Sequence, residues 1–284
     1  MNPVLLGSLA ALCWGTLDFL AGKVSRAIGP IQVTATVTAI GLALITLWLW
    51  AFGEFPAFQQ NDIWWPLFAG VGYAFATLCL FAAIASGPVS LAVPVTMSYP
   101  ATSVLVAAAL GTVPTPIQLI FVALILGGAL LVALGEPAGE ERETTGRRRT
   151  ILFAILAHLT FVIAVFAGQR SAVLFGEIEA AWISRLAGTA VTLPLLFLTR
   201  GGIRGQIPHL PLLALMAFLD ALAVSLLFAA GKTAQPELAT VCGSASGAIT
   251  ILLAWIFLRE KIAYLRWLGI AATFSGVAAL SAFK

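Results

Sequence analysis

Ten apolar stretches of bilayer-crossing length fill almost the whole of this 284-residue chain, and a single charged segment, Glu136 to Thr150, divides them five and five. A helix needs about 20 apolar residues to cross a hydrocarbon core. The expected spans lie near 4–25, 31–53, 63–85, 89–111, 116–135, 151–170, 179–199, 210–230, 236–258 and 264–283, with ends uncertain by about two to four residues. A water-soluble fold is excluded by the composition: 61% of residues are hydrophobic, 10% are charged and the mean hydropathy is +1.03, more apolar surface than one soluble domain can hide.

The stretches leave no room for a domain outside the membrane, so whatever the chain does is expected to happen inside the bilayer. The first span starts close to Met1 with no basic leader and is expected to be retained. Cys13, Cys79 and Cys242 all fall within spans and read as small packing residues.

Orientation follows Lys and Arg in the short connections. On the side of the two termini the connections carry Arg170, Lys232 and Lys284. The opposite side carries Lys23, Arg26, Arg142, Arg147, Arg148, Arg149, Arg200, Arg204, Arg259, Lys261 and Arg266. The charged hinge is therefore expected in the cytoplasm and both termini outside it, as in the inner membrane of a bacterium. The run Arg147 to Arg149 reads as an orientation signal and not as a nucleic-acid patch, because glutamates lie close by.

Five is odd, so a second copy of a five-helix unit must thread the membrane upside down. The expected fold is all-α, with ten transmembrane helices in two inverted five-helix repeats, residues 1–135 and 151–284, joined by the hinge 136–150. Internal matches support a duplication: Leu80-Phe81-Ala82-Ala83 recurs 147 residues later as Leu227-Phe228-Ala229-Ala230, and Gly128 recurs 148 residues later as Gly276.

Cys13-Trp14-Gly15-Thr16 in the first span, Ser98-Tyr99-Pro100 in the fourth, and Phe257-Leu258-Arg259-Glu260-Lys261 leading into Trp267-Leu268-Gly269 stand in an order and spacing that resembles the ten-helix branch of the drug/metabolite transporter superfamily, whose repeat is the EamA domain. Ile28-Gly29-Pro30 and the aromatic-proline pair of span four are most similar to the YddG-type exporters of aromatic and other amino acids. The resemblance implies alternating access through a central cavity between the repeats, with no cofactor and no catalytic step. The repeat partner of Tyr99-Pro100 is Ser246-Gly247, and His158 stands where such exporters place a large aromatic. Both departures shift the implied substrates toward smaller or more polar amino acids.

Export of an amino acid asks for a few fixed dipoles in a mostly apolar wall. Asp18 and Asp220 are the leading candidates, because an ionisable group at membrane depth faces a partner or a wet cavity. Trp14 and Asp18 are four residues apart and share a helical face, which pairs a carboxylate with an aromatic surface able to attract an ammonium. Tyr73 and Thr77 repeat that spacing in span three. Pro94 and Pro100 should kink span four and bring Met97 and Tyr99 to the path. Cys242-Gly243-Ser244-Ala245-Ser246-Gly247 reads first as a close-packing seam, with Ser244 and Ser246 as hydrogen-bonding groups beside the path.

His158 reads either as a proton relay or as a neutral hydrogen-bonding group. Arg185 is expected to snorkel to the interface, its alternative being to meet a substrate carboxylate. No G-x-x-x-x-G-K-[ST] loop, HExxH or CxxC occurs, so neither a nucleotide-driven motor nor a metal centre is expected. The imidazoles available to a nucleophile are His158 and His209, the latter at a membrane boundary, which argues against an enzyme. A small-drug, nucleotide-sugar or other metabolite carrier of the same fold is the alternative reading, and a channel a more distant one. The chain is expected to act as a monomer, with amino acids and the lipid bilayer as its partners.

Overall fold

The computed structural model describes residues 3–53, 55, 62–109, 111, 114–134, 144–198, 204–231, 243 and 245–282. Among them every regular element is helical: α1 (Pro3–Ile28), α2 (Pro30–Phe52), α3 (Trp64–Ser86), α4 (Val89–Thr96), α5 (Tyr99–Ala109), α6 (Pro116–Leu134), α7 (Thr144–Phe175), α8 (Glu177–Phe197), a short 3-10 helix (Arg204–His209), α9 (Leu210–Gly231), α10 (Ser246–Phe257) and α11 (Tyr264–Ala282). Seven of these are individually long and apolar enough to cross a membrane. The fourth expected span is divided between α4 and α5, and α10 and α11 supply the described parts of the last two.

The break in span four comes from its prolines. Pro94 lies inside α4 and Pro100 in the first turn of α5, and each removes a backbone donor and crowds the preceding turn. The helix stops at Thr96, Met97 and Ser98 form a turn, and α5 restarts at Tyr99. Where the sequence indicates a kink, the structure has a complete interruption.

Part of the expected hinge is helical. Its residues 136–143 lie outside the described residues, but Thr144 to Thr150 form the first turns of α7. At about 1.5 Å per residue, the 32 residues of α7 are longer than a hydrocarbon core of about 30 Å. Arg147 donates from Nη2 to the carbonyl of Ala133 at 2.6 Å, placing a cation on the C-terminal end of α6, where the helix dipole favours it. Arg149 lies over the ring of Phe153, 5.5 Å from its centroid.

The duplication is visible in the backbone. α1 passes into α2 through Gly29 at φ 97°, and α7 passes into α8 through Gly176 at φ 86°. These glycines are 147 residues apart and sit in the left-handed region that other residues avoid. At each, the side chain three residues on, Gln32 or Glu179, folds back against the space a Cβ would fill. Helix packing obeys the same relation: α1 lies along α9 as α3 lies along α7, while α2 packs on its equivalent α8 and α6 on its equivalent α11. The principal contacts therefore run between the two halves.

The main core gathers Leu17, Ala21 and Val24 of α1, Phe81 and Ile84 of α3, all of α4's apolar residues, and Leu213 and Met216 of α9. Cys13 is buried and Cys79 half-buried, and both are free thiols; Cys242 lies outside the described residues. Trp50, Phe52 and Trp64 are strongly exposed where α2 ends and α3 begins, the pattern of aromatic side chains at a membrane interface.

Candidate functional site

Midway along α1 two turns present Trp14 and Asp18 toward α9. Trp14 donates from its indole Nε1 to Oδ1 of Asp220 at 3.1 Å. The other carboxylate oxygen of Asp220 is taken by Arg185 of α8, through Nη2. Asp18 is buried, at 7% exposure, and lies within electrostatic range of Asp220. Among the described residues no hydrogen bond reaches its carboxylate. Two acids and one guanidinium thus meet in the middle of the bundle, contributed by three helices from both repeats.

Arg185 corrects the reading of the sequence. Its side chain turns inward to Asp220 instead of snorkelling, because the low dielectric rewards pairing with a carboxylate and penalises leaving either charge alone. Gly41 of α2 makes the room: a Cβ there would stand 3.3 Å from Nη1 of Arg185. The pair is partly accessible, with side-chain exposures of 19% for Arg185 and 15% for Asp220.

A second group is aromatic. The ring of Tyr73 in α3 meets Phe161 of α7 edge-on at 6.1 Å, and Tyr99, the first residue of α5, stacks on the same Phe161 at 5.5 Å. Tyr73 also lies within electrostatic range of Arg185 and of Tyr99, which joins this wall to the charged cluster. Phe161 stands 147 residues after Trp14, and Asp220 stands 147 after Tyr73. The contact of Trp14 with Asp220 is therefore the repeat image of the contact of Phe161 with Tyr73, an indole on a carboxylate in one half and a ring on a ring in the other. The common offset was the sequence signal that points to Phe161, which inspection for polar residues passes over.

His158 lies beside the break in span four. Its Nδ1 is 3.0 Å from Ser98 Oγ and its Nε2 is 2.7 Å from Thr102 Oγ1, so the ring ties α7 to the turn and to α5 beyond it. Ser98 donates in turn to the carbonyl of Val95 at 2.7 Å, one of the acceptors the broken helix leaves over. Met97, half-buried in the turn, packs on the main core. Thr77 is half-buried one turn along α3 from Tyr73.

Ser246 is placed in a seam. It is buried at the start of α10, its carbonyl accepts from Thr250 Oγ1 at 3.0 Å, and Thr250 also reaches the carbonyl of Gly15 at 3.1 Å. These contacts hold α10 tightly against α1. Ser244 lies outside the described residues. Two cavities open elsewhere: about 430 Å³ lined by Trp255, Arg259 and Lys261 among others, and about 220 Å³ between α2, α8 and the 3-10 helix. Neither is lined by a residue of the mid-depth cluster. Among the described residues no group of three or more His, Cys, Asp and Glu could hold a metal ion.

Residues 1–134 and 148–282 each match the model of the EamA-like transporter family. A crystal structure of another protein superposes with a TM-score of 0.65 at 20% identity, covering 99% of this chain and 98% of that one; a likeness at that identity shows the fold alone. No curated protein matches the chain by sequence.

Proposed function

The chain belongs to the EamA-like transporter family, a membrane transporter of small molecules, and from that premise we propose that it exports amino acids by alternating access between its two repeats. The observation that carries the reading is the mid-depth cluster: Arg185 and Asp220 supply charges for both ends of a zwitterion, with Asp18 a second acid beside them, and Trp14, Tyr73, Tyr99 and Phe161 supply a wall for its side chain. Burying charges at this depth is costly, which gives the cluster a reason to serve transport.

In this reading the path runs between α1, α3, α7, α8 and α9. Tyr73 and Thr77 line one side, Tyr99 and Met97 border it at the interrupted helix, and His158 holds that interruption in shape. Ser246 belongs to the wall behind Trp14. The family resemblance to YddG-type exporters and the orientation expected from the basic residues agree with export from a bacterial cytoplasm across the inner membrane, the hinge inside and the termini outside. The excess of carboxylate over guanidinium also suits a lone amine, so a carrier of amine-bearing drugs is the second reading.

Reconstitution decides between them. Liposomes holding the purified chain, preloaded with single amino acids, should show saturable counterflow for a subset that includes aromatic and small polar members. Counterflow with organic amines and none with amino acids would replace the proposal by the second reading. Asp18→Asn should lower amino-acid flux more than flux of neutral analogues lacking the ammonium; equal losses would leave Asp18 a structural role.

A further inference from the structure

We propose that Arg185 and Asp220 are the two jaws of a clamp for zwitterions, in which the substrate carboxylate takes over Arg185 while its ammonium settles between Asp220 and Asp18. The inference rests on the amino-acid reading above and adds which atoms hold which end of the substrate.

The resting ion pair mimics the bound state. Asp220 already offers Arg185 a carboxylate, so a substrate carboxylate finds a guanidinium oriented for that geometry, with desolvation already met. Displacing Asp220 leaves it anchored, because Trp14 still donates to Oδ1 at 3.1 Å. Its freed Oδ2 then faces the ammonium. Asp18, buried within range of Asp220 and bonded by no described donor, is the second acid that makes this place attractive to a cation.

Charge is balanced through the exchange. The empty cluster holds two acidic groups and one guanidinium, and a zwitterion entering it adds one of each sign. The guanidinium keeps a carboxylate partner throughout, and Asp220 exchanges a guanidinium for an ammonium. The swap leaves the net charge of the cluster unchanged and gives each member of the ion pair a new partner. A substrate lacking the carboxylate leaves Arg185 on Asp220, and one lacking the ammonium strips Arg185 from Asp220 with nothing in return.

The position of Arg185 fits a moving part. It comes from α8, whereas the carboxylates come from α1 and α9. Its guanidinium lies over Gly41 of α2, a surface with no side chain to obstruct a swing, and it is partly exposed.

Calorimetry on the detergent-solubilised full-length chain tests the clamp, with phenylalanine and threonine as probes beside the amines made by removing their carboxylates. Arg185→Gln should weaken the amino acids roughly tenfold or more, the scale of a lost hydrogen bond between charges, and should not weaken the amines, because it frees Asp220 for their ammonium. Arg185→Lys should restore part of the amino-acid affinity. Asp220→Asn should weaken the amines and the amino acids together. The double variant Arg185→Gln/Asp220→Asn removes the pair without stranding a charge, so it keeps the test open if either single variant misfolds; it should bind amines and amino acids with similar, weak affinity. Equal loss of both probe types in Arg185→Gln, or full amino-acid affinity in the double variant, overturns the clamp and leaves amino-acid export standing. A wild-type chain that binds the amines and no amino acid overturns both.

Discussion

Glu260→Ala should loosen the two repeats from each other on the hinge side of the membrane while leaving the mid-depth cluster intact. Glu260 stands between α10 and α11, and its carboxylate accepts from the backbone N–H of Val89 at 2.9 Å and of Ser90 at 3.1 Å. These are donors of the first turn of α4, whose own N-cap, Pro88, makes no side-chain hydrogen bond. A residue of the second repeat thus caps a helix of the first. Losing a cap costs about 0.5–2 kcal/mol, and losing a carboxylate at a helix N-terminus about 0.3–1 kcal/mol. Together they put the cost near 2 kcal/mol, roughly 30-fold in the ratio of open to closed forms. Leu91, at 1% exposure in the same turn, is a reporter: in a background without native cysteines, Leu91→Cys should react with maleimide up to about 30-fold faster when Glu260→Ala is added. Glu260→Gln, with one carbonyl oxygen still able to accept one N–H, should show a smaller effect. Labelling rates that agree within about twofold, with an unchanged melting temperature, would refute the link between the cap and closure.

Gly70→Ala should be poorly expressed or melt well below wild type, because its Cβ would stand 2.0 Å from the carbonyl oxygen of Ser184 and force α3 away from α8, whereas Gly127→Ala, with nothing within 4 Å, should behave as wild type; thermal denaturation followed by size-exclusion chromatography compares them. For orientation, Gly139→Cys should resist an impermeant thiol reagent in intact cells and Asn2→Cys should react, the reverse pattern inverting the assignment. Tyr99→Ala should raise the half-saturation concentration for aromatic amino acids several-fold, since the stacked contact on Phe161 at 5.5 Å is worth about 0.5–1.5 kcal/mol beyond area burial. Threonine should be less affected in the same counterflow assay, and an equal loss for both would reduce Tyr99 to a packing role.

Much of this protein follows from local rules and could be read along the chain. An apolar run of membrane length becomes a helix because its backbone has no other partners in lipid; two prolines interrupt span four because each lacks a donor; an offset of 147 residues ties Leu80 to Leu227 and Gly29 to Gly176 because one unit is present twice. The acids at 18 and 220 announced themselves by their cost at that depth. What the chain could not disclose was direction and partnership. Arg185 has a long, rotatable stem that reaches the interface or the interior equally well, and only the approach of α9, which brings Asp220 to it across 35 positions of sequence, turned it inward. Glu260 reads as one more charge in a connection until folding sets it on the first turn of α4, about 170 residues away. Apolar runs, a fixed internal offset and two prolines determined the spans, the duplication and a bend in span four. Tertiary packing decided which charges meet, because the energy of a buried charge depends on what stands beside it and not on its neighbours along the chain.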